Sequence, residues 1–450
     1  MASALREFTK WSWTFHGDSS SALTNISFRI SAGERVLIAG PSGGGKSTLL
    51  RAIAGLLSED AGFARGQLNA SAVRVGYVGQ EPDEQMLFPT VREDVAFVAE
   101  TVVARDSEVH AAVHAALDTV RALPLIDRAT MALSGGEKQR VGVAACVAAE
   151  ADLVICDEPT ASLDPEHAIQ VRDAISAAAG NRGASLVVVE HQIDLWREHV
   201  DRVVVVADGE IVSDLPVAQH LAAMSSGEGA LRLWTSPPSS ERHRPAPELS
   251  GTPIVQTHGV ITSRAPDSPS IAVPDITVYP GQCVALIGPN GSGKTATLRA
   301  LAGLRAPEVG RITYSGFARS PHRLSARRRA QFAASVLQNP SYSFLRATVA
   351  EEAPAHVLGA MGLSRLDARN PHSLSGGERR RLGMAIALSG EPAVMFLDEP
   401  TFGQDPQSWR DVVSVLDDYL SSGGSIVVAT HDNELVRALA DNVIELGGST

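Results

Sequence analysis

Two short runs in this chain have the residue types and spacing to hold a phosphate chain. The first is Gly40-Pro41-Ser42-Gly43-Gly44-Gly45-Lys46-Ser47-Thr48, and the second is Gly288-Pro289-Asn290-Gly291-Ser292-Gly293-Lys294-Thr295. Both read G-x-x-x-x-G-K-[ST]. The glycines let successive backbone N–H groups turn inward onto phosphate oxygens, and a following helix adds positive potential at its N-terminus. In such a loop Lys46 and Lys294 reach the β- and γ-phosphates, and the hydroxyls of Ser47 and Thr295 bind Mg²⁺. Further along each half a pair of carboxylates follows an apolar run: Asp157-Glu158 after Leu153-Val154-Ile155-Cys156, and Asp398-Glu399 after Val394-Met395-Phe396-Leu397. The aspartates can serve Mg²⁺ through water, and the glutamates can polarise an attacking water. His191 and His431 each end another apolar run, which places them on the same sheet edge as the carboxylates.

These groups need elements that bring them to one edge. Val36-Leu37-Ile38-Ala39 and Val284-Ala285-Leu286-Ile287 lead into the loops as buried strands, and residues 49–55 and 298–303 lead out as helices. Continuous apolar strands suit a parallel sheet covered on both faces, and ligands bind at the carboxyl ends of such strands. Residues 202–207 are expected to complete the first sheet, with Asp208-Gly209 as a tight hairpin turn. Residues 11–15 and 26–30 alternate apolar and polar, so they read as antiparallel strands, and Trp13 or Phe15 could stack on an adenine ring. A strand over residues 73–78 delivers Gln80, as Ser335-Val336-Leu337 delivers Gln338. From 92 to 123 the pattern is helical, with Val109, Val113, Leu117 and Val120 on one face, which predicts a helical subdomain inserted between strands. Ser134-Gly135-Gly136-Glu137 and Ser375-Gly376-Gly377-Glu378 have capping-box spacing at a helix start, and their glycine pairs leave N–H groups open to an anion.

The loop lysines stand 248 positions apart, and from the capped helix starts onward the motifs of the second half follow those of the first at a nearly constant offset of 240 or 241, which means one fold copied. The sequence therefore divides into a first domain over 1–235, a Pro/Ser-rich exposed linker over 236–251, and a second domain over 252–450. The copies differ at their start. Register puts Ala265 opposite Phe15 and Arg264 opposite Thr14, so either Arg264 stacks on a base or the second site grips adenine less tightly. The basic run Arg319, Arg323, Arg327, Arg328 and Arg329 reads as a solvated helix face.

Composition bounds the remaining classes. With 450 residues, 44% apolar and 20% charged, each half can bury its own core. No uninterrupted apolar run approaches the ~20 residues of a membrane span, and the charged N-terminal stretch lacks the apolar segment of a signal peptide. Three cysteines, Cys146, Cys156 and Cys283, show neither metal spacing nor a paired framework, which suits the cytoplasm. A net charge of −12 argues against general nucleic-acid binding. Of only four lysines two stand in the phosphate loops, where a compact ammonium fits between oxygens and a planar guanidinium does not.

Phosphate loop, Gln, Ser-Gly-Gly-Glu, Asp-Glu and His, in this order and twice over, resemble the ATP-binding cassette (ABC) ATPases. The resemblance implies an α/β fold of two tandem P-loop NTPase domains, each a mostly parallel sheet core with an antiparallel β subdomain and an inserted helical subdomain. It implies that the loops from Gly40 to Thr48 and from Gly288 to Thr295 bind ATP with Phe15, and that Ser47, Gln80, Asp157, Thr295, Gln338 and Asp398 serve Mg²⁺. Glu158 and Glu399 would activate water, and His191 and His431 would contact the γ-phosphate. The signature residues Ser134, Gly135, Gly136 and Glu137, and Ser375, Gly376, Gly377 and Glu378, would complete the ATP site of the opposite half, so that the halves close head-to-tail inside one chain.

The stretch Gln80-Glu81-Pro82-Asp83-Glu84-Gln85-Met86-Leu87-Phe88, followed by Thr90-Val91-Arg92-Glu93-Asp94, is similar to the energy-coupling-factor (ECF) ATPases, and residues 338–345 follow it more loosely. Those ATPases power uptake of vitamins and of nickel or cobalt ions. The similarity implies integral membrane partners, a transmembrane T component and a substrate-binding S component, with the chain peripheral on the cytoplasmic face of the membrane. Asp83 and Glu84 would be available to an arginine of the partner. Two alternatives share the motifs: a fused sugar-importer ATPase, and a non-transport tandem ATPase acting on ribosomes or DNA. Chains of the first kind usually run longer with one degenerate site, whereas both sets here are intact. The second kinds carry a long charged helical linker or cysteine-rich metal domains, absent here. Replacing both bases, Glu158→Gln with Glu399→Gln, is expected to abolish ATP turnover while preserving nucleotide binding. Substantial residual phosphate release from the double variant would contradict the assignment.

Overall fold

The computed structural model describes residues 4–17, 20–79, 85–103, 105–160, 163, 165–180, 182–226, 244, 251–263, 270–289, 291–337 and 339–447. Gln80, Asp83, Glu84, Arg264, Ala265, Asn290 and Gln338, singled out above, lie outside them. The chain falls into two compact units, Met1–Thr235 and Ser236–Thr450.

The first unit is built on a six-stranded sheet. Its order is Val75–Val78, Leu153–Asp157, Ser185–Val189, Arg35–Ala39, Arg202–Ala207 and Glu210–Pro216. The first five strands run parallel and the last antiparallel. The runs rich in Val, Ile and Leu that read as doubly covered strands are buried along their lengths, because helices take both faces. Residues 202–207 do not complete the sheet. Asp208 and Gly209 turn with φ of 50° and 78°, the left-handed pair that suits a tight hairpin, and this adds Glu210–Pro216 as the edge. A three-stranded antiparallel sheet of Leu23–Ser31, Ala4–Phe15 and Gly62–Ala70 stands beside it. Here Ile26, Phe28 and Ile30 face inward while Ser27 and Arg29 face out, the period of two expected of a half-buried strand.

The helical region is not one run. It divides into Val91–Ala99, opened by a Thr90–Glu93 capping box, and Asp106–Thr119. The intervening residues 101–103 include two adjacent valines and close on backbone turns to Val98 and Ala99, so the first helix ends there. Val109, Val113, Leu117 and Val120 do share a buried face. No helix among the described residues is long and apolar enough to cross a membrane.

The second unit repeats the plan. Its parallel sheet runs Ala333–Val336, Val394–Asp398, Ser425–Ala429, Cys283–Ile287 and Asn442–Glu445, and an antiparallel sheet gathers Val255–Ser263, Ser270–Ala272, Thr277–Val278 and Val309–Tyr314. One residue of the Pro/Ser-rich stretch departs from the exposed linker expected there. Arg244 is buried, pairing with Asp441 at 2.6 Å and Asp417 at 3.2 Å and donating to the Leu439 carbonyl at 2.6 Å. Asp441 also accepts the Cys283 N–H at 2.7 Å, at the start of the strand that feeds the second phosphate loop. Removing one partner of a buried pair leaves the other uncompensated, so Arg244→Ala should lower the stability of the second unit by about 3 kcal/mol. Thermal or urea denaturation of the full chain, followed unit by unit, measures it; an unchanged transition would contradict the anchoring role.

Candidate functional site

The site in each unit forms where parallel strands end together. In the first unit the strand Arg35–Ala39 runs into Gly40, whose φ is 150°. A Cβ at Gly40 would sit 1.9 Å from the Val206 carbonyl oxygen, so only glycine lets the loop leave the sheet this close to its neighbour. Gly288 repeats the constraint, with a Cβ position 2.2 Å from the Leu446 carbonyl oxygen and φ of 139°. Gly45 and Gly293 are left-handed caps, φ 100° and 99°, that open the helices Lys46–Ala54 and Lys294–Leu301. The first turns of these helices therefore point their unbonded N–H groups into the loops.

The lysines fold back into the curve of each loop. Lys46 Nζ donates to the carbonyls of Gly40 and Pro41 at 2.7 and 2.8 Å, and Lys294 Nζ donates to those of Gly288 and Pro289 at 2.7 and 3.2 Å. Lys294 Nζ also lies 2.8 Å from His431 Nε2, which must accept because an ammonium only donates. His191 differs: its Nε2 lies 3.1 Å from Glu158 Oε1, a carboxylate oxygen that only accepts, so here the ring donates.

The carboxylate pairs end the central strands Leu153–Asp157 and Val394–Asp398. Burial, then the neighbouring Glu158, raises the Asp157 carboxyl to about 6, opposed by Lys46, Ser47 and Tyr77. Burial also raises Asp398, opposed first by the Thr295 hydroxyl, which donates to Asp398 Oδ1 at 3.2 Å. Each aspartate keeps one buried oxygen, Asp157 Oδ1 and Asp398 Oδ2, with no hydrogen-bond partner among the described residues. An orphaned carboxylate oxygen beside a loop hydroxyl is an all-oxygen setting that fits Mg²⁺, held by one protein carboxylate together with substrate phosphates. Glu158 and Glu399, one residue on, both adopt left-handed backbone, φ 47° and 50°, a conformation rare outside glycine and recurrent at functional positions. Their N–H groups still bond the adjacent strand, to the Val189 and Ala429 carbonyls, both at 2.9 Å. Glu399 accepts from the Thr430 hydroxyl at 3.0 Å and the His431 N–H at 3.3 Å, and burial raises its carboxyl to about 7.

Lys46, Ser47, Asp157, Glu158 and His191 are thus assembled in one unit, and Lys294, Thr295, Asp398, Glu399 and His431 in the other. The signature residues form capping boxes: Ser134 N–H to Glu137 Oε2 at 2.7 Å and Ser375 N–H to Glu378 Oε2 at 2.8 Å, with Glu137 also paired to Arg128. Ser134 and Gly135 are exposed, and Ser375 and Gly376 are half-buried. Phe15 ends its strand half-buried, edge-on to Trp13 at 6.0 Å. Trp13 itself is buried and stacked with Trp11, which removes it as a platform for a base.

Several site neighbours escaped the sequence. Tyr77 donates to Asp157 Oδ2 at 3.3 Å from the adjacent strand. Glu190, buried beside His191, accepts from the Thr160 N–H and hydroxyl at 2.8 and 2.5 Å and from the His191 N–H at 3.1 Å. Its counterpart is Thr430, and there Asp432 takes over, accepting from the Thr401 hydroxyl at 2.7 Å and Trp409 Nε1 at 2.6 Å. The available signal was the difference between Glu190-His191-Gln192 and Thr430-His431-Asp432 in otherwise matching halves.

Known proteins match this chain along most of its length. The family described as ABC transporter matches residues 23–161 and 273–402. A putative HMP/thiamine import ATP-binding protein of Bacillus subtilis is 29% identical, covering 97% of this chain and 88% of the relative. A putative ABC transporter ATP-binding protein of Streptomyces coelicolor is also 29% identical, covering 98% and 92%. Among solved structures, ribosome-bound archaeal Pelota and ABCE1 aligns over 97% of this chain and 76% of that one, at 22% identity and a TM-score of 0.67, a likeness of fold.

Ionised Glu399 is the form able to take a proton. With Glu158 replaced by Gln, the remaining turnover should therefore fall as pH drops through about 7, approaching tenfold per pH unit below it. Initial rates across about pH 5 to 9 measure this limb. A flat profile would contradict the role assigned to Glu399.

Proposed function

Because this chain belongs to the ABC transporter family, an ATP-binding ATPase coupled to transport, we propose that it is the energy-coupling subunit of an ECF-type importer. It would power uptake of a vitamin or a transition-metal ion through separate membrane subunits, a T component and an S component, from the cytoplasmic face of the membrane. The B. subtilis relative, named for HMP/thiamine import, supports the vitamin side of this reading.

The observation that carries it is a pair of matching exposed leucines. Leu87 is 70% exposed and Leu345 85% exposed, each shortly after the position of Gln80 or Gln338. Neither sits on a loose tip. Asp94 Oδ1 accepts the N–H groups of Leu87 and Phe88 at 2.8 and 3.0 Å, and Glu352 Oε1 accepts those of Leu345 and Arg346 at 2.6 and 2.7 Å. Asp94 and Glu352 belong to the helices Val91–Ala99 and Val349–Glu352, each with a capping box at its start. Met131 and Tyr342, also strongly exposed, add apolar surface to the first and second units respectively. An apolar side chain held out by a fixed backbone suits a partner protein rather than water.

In this reading Lys46 and Lys294 grip the β- and γ-phosphates, and the backbone N–H groups of the loops neutralise the rest of the charge. Mg²⁺, held by Ser47 and Asp157 or by Thr295 and Asp398, with Gln80 and Gln338 as further ligands, would offset charge on the same phosphates. Glu158 and Glu399 orient water for in-line attack, and His191 and His431 contact the γ-phosphate. Phe15 stacks on the adenine of the first site.

A tagged chain isolated from detergent-solubilised membranes should bring an integral membrane subunit with it. Recovery of ribosomes or DNA instead would sink the importer reading. Leu87→Asp with Leu345→Asp should cut the recovered membrane subunit at least about tenfold while basal ATPase and the thermal midpoint stay near native. Undiminished recovery would remove these surfaces as the docking sites.

A further inference from the structure

The two units wire the start of the capped helix differently. The register that lays Ser375 on Ser134 lays Arg380 on Gln139 and Gln404 on Leu163. In the first unit Gln139 Nε2 donates to the Gly79 carbonyl at 3.3 Å, and the apolar Leu163 lies over Gly136. In the second unit Arg380 is buried, 5% exposed, and its Nη1 donates to the Glu399 carbonyl oxygen at 2.6 Å. Its guanidinium also lies over the Phe402 ring, 4.5 Å from the centroid. Beside it Arg381 Nη1 donates to Gln404 Oε1 at 2.7 Å, and Gln404 Nε2 donates to the Gly377 carbonyl at 3.0 Å. The first turns of the helix Gly376–Leu388 and the segment 399–404 are therefore stitched together by charged and polar contacts whose counterparts in the first unit run elsewhere.

Glu399 gains most from such a tie. Its backbone is left-handed at φ 50°, and a non-glycine residue keeps that conformation only where its surroundings hold it. The side chain is fixed at its far end by Thr430 and His431, and Arg380 fixes the near end at the carbonyl. A guanidinium donor to a carbonyl is a charge-assisted bond, stronger than the neutral amide bond that a glutamine could make.

We propose that Arg380 is a positioning residue for ATP hydrolysis at the second unit's site: it holds the turn that aims the Glu399 carboxylate and ties that aim to the start of the capped helix. This rests on Glu399 being the base of that site. Its bond reaches the main-chain carbonyl of Glu399, so its effect is expected on turnover rather than on ATP affinity.

The test compares the full chain with Arg380→Gln, Arg380→Lys and Glu399→Gln, reading kcat, KM for ATP and the thermal midpoint of each. Arg380→Gln, which installs the first unit's side chain, should lower kcat to within about twofold of the Glu399→Gln chain while KM stays within about twofold of native. Arg380→Lys keeps a charged donor and should recover a larger share of kcat. Native kcat in Arg380→Gln, where Glu399→Gln loses turnover, overturns the proposal. So does a joint loss of kcat, ATP affinity and thermal midpoint, which marks a merely structural arginine. Full turnover in Glu399→Gln would instead remove the assigned base, and this proposal with it.

Discussion

Two adjacent carboxylates must be kept out of water at the end of a buried strand, and most of each site follows from that constraint. Asp157 and Glu158 are 6% and 8% exposed, and Asp398 is 3% exposed. Desolvating a carboxylate costs several kcal/mol even after the protein relaxes, so it is stable only among oriented donors and opposite charge. The phosphate loop supplies part of that: the Lys46 or Lys294 ammonium, and the Ser47 or Thr295 hydroxyl, all oppose the rise that burial imposes on the aspartate. The strand order puts these donors in reach. The loop strand and the carboxylate strand both pair with the strand that leads to the histidine, so their carboxyl ends share one edge.

The same constraint explains how the copies diverge without losing the arrangement. Thr160 and Thr401 stand two residues after Glu158 and Glu399, and each is held by a buried or half-buried acid beside the histidine. In the first unit that acid is Glu190, immediately before His191; in the second it is Asp432, immediately after His431. Moving the carboxylate across the histidine frees the preceding position for Thr430, whose hydroxyl then donates to Glu399. Glu158 has Glu190 nearby instead, and burial first, then the Glu158 charge, pushes the Glu190 carboxyl up. One site thus steadies its glutamate with a hydroxyl and an arginine-held carbonyl, the other with a ring N–H from His191.

Much of this was legible beforehand because the decisive signals are local. Gly40 and Gly288 announce a close backbone approach, Ser134 and Ser375 with Glu137 and Glu378 announce capped helices, and runs such as Leu153–Asp157 announce a doubly covered strand. What stayed hidden depends on contacts across the sequence. Nothing near Tyr77 says that it bonds Asp157, since that pairing exists only once Val75–Val78 lies beside Leu153–Asp157. Arg244 looked like one more polar residue in a proline-rich stretch, and its burial is set by Asp417 and Asp441 far down the chain. The break between Val91–Ala99 and Asp106–Thr119 was missed because apolar periodicity continues on either side of it.

The edge strand next to the carboxylates also supplies a short physical route from the phosphate site to the exposed leucine of the first unit. Tyr77, on Val75–Val78, bonds Asp157. The Gly79 carbonyl, two residues on, accepts from Gln139 of the capped helix at 3.3 Å and from Gln85 at 3.1 Å. Two residues past Gln85 stands Leu87, its N–H fixed by Asp94 in the next helix. The route alternates hydrogen bonds between elements with two-residue stretches of chain, a contiguous physical path from the Asp157 carboxylate to the surface. In the second unit the corresponding side chain of the capped helix, Arg380, donates to the Glu399 carbonyl. The first unit's helix is thus bonded to the strand end through Gln139 and the second unit's to the Glu399 main chain through Arg380, a difference that a duplicated fold can acquire by exchanging a glutamine for an arginine.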